Sequence, residues 1–156
     1  LIDDAGRKII SGGEFDNALE DYVIQIVKDG IKIAYKDYSS IWREINTDKG
    51  SQFYANKKDS EGEKGKTEFE LFLEKNNIKH IPSRRNHPQT NGKNERWFRT
   101  YEENRMKFKT FKEFIDWYND KIHLGLSRKE GITPNEAIGF KLQPEAILGL
   151  FFRRFD

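Results

Sequence analysis

The 156-residue chain contains no cysteine. That absence excludes a disulfide framework, a thiol nucleophile and any zinc site built on thiolates. Long apolar runs are missing too. The longest, Ala146 to Phe152, spans seven positions and includes Gly149, far short of the roughly 18 residues of a membrane-spanning helix. No membrane partner is therefore expected. The residues from Leu1 do not read as a signal peptide, and a cytoplasmic location is expected. Net charge is small as well, with 28 Lys and Arg against 26 Asp and Glu. Apolar residues reach only 35%, yet aromatic residues make up 13%. Those rings supply large buried areas, so a folded core is expected rather than wholesale disorder. The length fits one domain.

The distribution of charge says more than its sum. Residues 79–109 hold nine Lys or Arg and three acids, a surplus of six, and the rest of the chain is acidic by four. Such a stripe suits a polyanion-binding face, and it equally suits a solvated helix face rich in Lys and Arg.

Leu1 and Ile2 read as a strand end, residues 3–7 as a tight turn in which Gly6 takes positive φ, and Lys8 to Phe15 as a returning strand centred on Ile9 and Ile10. Leu19, Val23, Ile26 and Val27 recur at helical spacing from Asn17 onward, with Gly30 as a stop. Residues 31–40 fit either a strand or more helix. Ile41 to Thr47 suits a buried strand. Lys57 to Thr67 contains no apolar side chain and predicts an exposed flexible insertion. Helix is predicted over Glu68 to Asn76, strand over Ile78 to Pro82, and a long helix from about Gln89 or Thr90 to Phe108. Trp97, Phe98, Tyr101 and Met106 supply that helix with apolar faces. Phe111, Phe114, Ile115 and Tyr118 mark another helix. Thr133-Pro134 opens a short one, with Thr as cap and Pro at the first helical position. Trp97, Phe98, Trp117 and Tyr118 read as core. Strands alternating with helices predict an α/β fold.

Two carboxylates stand out by position. Asp48 follows the predicted buried strand, and Glu95 lies early in the long basic helix. Divalent metals of the Mg²⁺ type take hard oxygen ligands, and two-metal phosphoryl transfer needs carboxylates converging from separate elements. An Asp after a strand also serves simply to turn a chain.

The surrounding residues form two motifs. Residues 47–53 read T-D-x-G-x-Q-F, and residues 87–96 read H-P-Q-T-N-G-x-x-E-R. In that order they resemble the integrase catalytic core of prokaryotic insertion-sequence transposases and retroviral integrases. The turn at residues 1–9, Trp117-Tyr118-Asn119 with His123, and Thr133-Pro134-Asn135-Glu136-Ala137 extend the resemblance over nearly the whole chain.

The resemblance implies an RNase H-like mixed sheet flanked by helices, and an Asp, Asp, Glu triad holding two Mg²⁺ or Mn²⁺ ions. It implies cleavage and strand transfer of DNA by a homo-oligomer at element ends and target, in the prokaryotic nucleoid. Asp48 matches the second triad carboxylate and Glu95 the third. Gln89, Thr90, Asn91 and Gly92 match the loop that approaches DNA before the glutamate, though Gly92 also fits an irregular helix start. Lys93, Arg96 and Arg99 share the helix of Glu95. Arg99, four residues on, reaches a phosphate or pairs with Glu95 or Glu103. Arg84 and Arg85 contact backbone at the loop base or are ordinary surface charges. His87 shapes the loop or only hydrogen-bonds within it.

The core is expected over residues 1–140, with 141–156 as a tail. Asp48 and Glu95 are separated by 46 residues, more than in retroviral integrases, and the 57–67 insertion accounts for the excess. The first triad Asp is absent. In the family it lies on a first, central strand upstream of the turn that Asp3-Asp4 resembles, and a Leu at position 1 fits a start further upstream. Asp3 and Asp4 are assigned structural roles. The chain by itself is expected to be weakly active or inactive, which leaves open a truncated fragment that binds DNA or inhibits intact transposase.

Overall fold

A computed structural model describes residues 1–17, 19–39, 42–48, 50–55, 65–82, 88–127 and 130–141, with the side chains of 88–91, 93 and 141 outside the description. The elements in chain order are α1 (Glu20–Tyr38), β1 (Glu44–Thr47), α2 (Glu68–Lys75), β2 (Lys79–Pro82), α3 (Pro88–Asn104), a 3₁₀ turn (Arg105–Lys107), α4 (Phe111–Asp120) and α5 (Pro134–Lys141). Helices and strands mix as an α/β chain. It divides into two compact units, residues 13–102 and residues 1–12 with 103 onward.

In the unit of residues 13–102, β1 and β2 pair in parallel, with Ile45 opposite His80 and Thr47 opposite Pro82. A parallel pair needs a long crossover, and α2 lies in it. Val27, Ile45, Phe69, Leu73 and Ile78 form the buried cluster, with Val23, Ile24, Trp42 and Phe53 packed on it. The predicted stop at Gly30 is overturned. Helix α1 runs on to Tyr38, because Val27, Gly30 and Ala34 fall on one buried stripe. Packing of that stripe outweighs the roughly 1 kcal/mol that a helical glycine costs. The ambiguous stretch after Gly30 is thus helical through Tyr38, and Ser39 ends it in the left-handed region (φ 48). Helix α2 opens on a capping box. The Thr67 hydroxyl accepts from the Glu70 N–H at 3.1 Å, and the Glu70 carboxylate accepts from the Thr67 N–H at 3.0 Å. Most of the predicted 57–67 insertion lies outside the described residues.

In the other unit, Ile2 and Ile9 make one antiparallel bridge around the turn. A strand extending to Phe15 does not form. Positive φ falls on Arg7 (φ 61) rather than Gly6. Gly6 is needed for space instead, since a Cβ there would lie 3.0 Å from Asp3 Oδ2 and 3.2 Å from the Ile138 nitrogen. Asp3 accepts a short hydrogen bond from the Gly6 N–H, in keeping with a structural role. Phe114 is fully buried, with Ile9, Tyr118, Ala137 and Ile138 also in the core. Phe108 and Trp117 pack near it, with ring centroids 5.9 and 5.8 Å from Phe114. Buried Asn119 accepts from the Ile9 N–H and donates to the Ile9 carbonyl, both at 2.9 Å. The predicted helix to Phe108 stops at Asn104 and tightens to the 3₁₀ turn, leaving Met106 92% exposed rather than on an apolar face. The 142–156 part of the predicted tail lies outside the described residues.

Candidate metal and nucleic-acid site

Asp48 is the first residue beyond β1, at the C-terminal end of a parallel strand pair. Ligands of open parallel sheets gather at such ends. Its side chain is exposed, and Oδ1 accepts from the Gly50 N–H at 2.9 Å. This is the bond by which an aspartate closes a turn on itself. The Gly50 carbonyl then accepts from the Phe53 and Tyr54 N–H groups at 3.0 and 3.1 Å. The turn is thus fixed at both of its ends.

Behind Asp48 lies a half-buried polar chain. The Thr47 hydroxyl donates to the Asp48 carbonyl at 2.8 Å and lies 2.8 Å from His80 Nε2. His80 Nδ1 lies 3.7 Å from Glu70 Oε1, the two side chains being 12% and 17% exposed. The Phe69 ring meets the His80 ring nearly at right angles, with centroids 5.4 Å apart. Sequence reasoning missed this group. Neither His80 nor Glu70 was singled out there. The only local signal was the T-x-x-E cap of Thr67 and Glu70. The rest depends on strand register.

Glu95 is exposed on α3, as are Gly92, Arg96 and Arg99. Among the described residues Arg99 forms no ion pair with Glu95 or Glu103, so its guanidinium is open to an outside anion. Residues expected in a loop before the glutamate are helical instead. Gln89, Thr90, Asn91 and Gly92 all lie within α3, which begins at Pro88. Pro fits the start of a helix because its missing N–H would be unpaired there anyway. Gly92 has open space around an added Cβ and a regular helical place, so neither close approach nor a special φ requires it. Arg84, Arg85 and His87 lie outside the described residues, as do the side chains of Gln89, Thr90, Asn91 and Lys93.

Phe98 departs from its expected core role and is 57% exposed. Trp97 and Tyr101, four residues apart, stack on each other at 5.5 Å. Phe98 is turned roughly 100° further round the helix, beside Glu95 three residues before it.

Asp48 and Glu95 therefore belong to one unit and are both exposed. Among the described residues, no three of His, Cys, Asp or Glu come together as a metal-holding group. Each of the two carboxylates is a hard oxygen donor of the type Mg²⁺ takes, an ion that commonly uses one or two carboxylates and completes its shell with water and substrate phosphate. No helix among the described residues is long and apolar enough to cross a membrane. Comparison with known proteins finds no matching family model, no matching curated protein and no matching solved structure.

Proposed function

We propose that this chain is the catalytic-core segment of a DNA transposase or integrase with an RNase H-like fold. The observation that carries the reading is Asp48 of the T-D-x-G motif, exposed and turn-fixed at the end of a parallel strand. Glu95 of the second motif, exposed on a helix with Arg96 and Arg99, supports it. Asp48 and Glu95 would hold divalent Mg²⁺ or Mn²⁺, two ions in the complete enzyme. Bound there, the ions would make water or a 3′-hydroxyl nucleophilic and neutralise charge on the phosphate under attack. Arg96, Arg99 and Lys93 hold the DNA backbone, with Gln89, Thr90, Asn91 and Gly92 in the first turns of the same helix and Arg84 and Arg85 ahead of it. Association as a homo-oligomer on DNA in the nucleoid belongs to the same reading.

The second reading is a DNA-binding fragment that does not cleave. Its support is that no three metal-ligating side chains come together among the described residues.

The test is a duplex-DNA titration over a salt series, followed by a Mn²⁺-dependent cleavage assay. Binding should fall steeply with salt, and Arg99→Ala should reduce the slope of log affinity against log salt by about one. Salt-independent binding would overturn both readings. Cleavage that Asp48→Asn abolishes selects the first reading, and binding without cleavage selects the second.

A further inference from the structure

The polar chain behind Asp48 has a direction. A threonine hydroxyl carries one proton. The Asp48 carbonyl, 2.8 Å from Thr47 Oγ1, can only accept, so that proton is committed to it. His80 Nε2, 2.8 Å from the same oxygen, must then be the donor. This excludes the arrangement in which His80 withdraws a proton from Thr47 as from a nucleophile.

His80 is itself held on three sides. Nε2 is fixed on Thr47, Nδ1 faces the Glu70 carboxylate, and the ring abuts Phe69. Glu70 is anchored in turn by the Thr67 N–H at 3.0 Å and the Ala55 N–H at 3.5 Å. A polar path thus runs from the first turn of α2, across the 3.7 Å approach of Glu70 to His80, and by hydrogen bonds through Thr47 to the peptide of Asp48. The Asp48 side chain meets the path from the other side through Gly50. Both the backbone and one carboxylate oxygen of Asp48 are restrained.

We propose that His80 is a positioning residue for Asp48, acting through the Thr47 hydroxyl. This rests on the reading of Asp48 as a metal-holding carboxylate. A residue that orients a ligand from behind typically changes metal affinity by about 10- to 100-fold when lost. A path that acts through the backbone belongs at the lower end, about tenfold.

The experiment uses the full ¹⁵N-labelled chain titrated with Mn²⁺ alone, read as paramagnetic broadening of the Asp48 and Gly50 amides, with thermal unfolding measured in parallel. His80→Leu should weaken Mn²⁺ binding about tenfold. His80→Gln, whose amide nitrogen can donate near the Nε2 position, should restore most of that loss even where its unfolding midpoint matches that of His80→Leu. Thr47→Val should reproduce the His80→Leu effect, and the double variant should add nothing to it. If His80→Leu fails to fold, Thr47→Val and His80→Gln carry the same comparison. Wild-type affinity in His80→Leu or Thr47→Val overturns the positioning role alone, as does a His80→Gln no better than His80→Leu. Broadening that is unchanged in Asp48→Asn overturns the metal reading of Asp48, and the role of His80 with it.

Discussion

The two units use buried polar groups differently. In the unit of residues 1–12 and 103 onward, the buried polar residue, Asn119, ties down a distant segment. It satisfies both backbone groups of Ile9, 110 positions away in sequence. In the unit of residues 13–102, the core cluster is wholly apolar. The half-buried polar groups Thr47 of β1, His80 of β2 and Glu70 of α2 line up behind Asp48. One unit uses polarity to tie together two distant segments, and the other brings it to the peptide of an exposed aspartate. A buried hydrogen bond thus serves chain topology in one unit and reaches a surface residue in the other.

The strongest test of the contrast is loss of each central ring. Phe69 and Phe114 are each fully buried. Either change to Ala should cost about 3–5 kcal/mol in urea unfolding. Phe69→Ala should also shift the His80 ring resonances, since it removes the ring that His80 abuts. Asn119→Ala comes next. It leaves two buried backbone groups without their partner, each costing about 1–3 kcal/mol. Unfolding should shift accordingly, and hydrogen exchange at the Ile9 amide should accelerate.

The caps give a smaller effect and a point of likeness. Thr67 with Glu70, and Thr133 with Glu136, form reciprocal boxes at the starts of α2 and α5. Thr67→Ala and Thr133→Ala should each cost about 1 kcal/mol. Only Thr67→Ala should also perturb Asp48, because Glu70 belongs to both the cap and the polar path.

The smallest effect is a pH dependence. Hydrogen bonds from the Thr133 backbone N–H, and then from its hydroxyl, hold the Glu136 carboxyl below the usual glutamate range. Its folded value is thus lower than its unfolded one. The stability it contributes is present above the unfolded value and fades as pH falls through the folded one. A proton titration of Glu136 by NMR should show the depressed midpoint, and Thr133→Val should raise it part of the way.

Much of the local structure was legible because its causes are local. Thr133 reads as a cap, and its hydroxyl accepts from the Glu136 N–H, as those of Thr67 and Thr110 accept from the N–H groups three residues on. The spacing of Phe69, Phe72 and Leu73 marks α2 and its buried face. The failures share a cause too. Gly30 reads as a stop until the buried stripe of Val27 and Ala34 is seen, and Phe98 reads as core until α3 turns it outward. Both depend on which face meets a neighbour. At the site, the order of the motifs singled out Asp48 and Glu95. Nothing in the chain near residue 48 pointed to His80.

The sequence by itself determined the alternation of helix and strand, the cap at Thr133 and the grouping of Lys93, Arg96 and Arg99 around Glu95. Each is set by side-chain chemistry acting within a few residues. Only the tertiary structure decided that α1 continues past Gly30, that Asn119 clamps Ile9, and that Glu70, His80 and Thr47 form one path to Asp48. Those outcomes depend on strand register and helix packing, in which residues tens of positions apart become neighbours and the burial of apolar surface outweighs local preference.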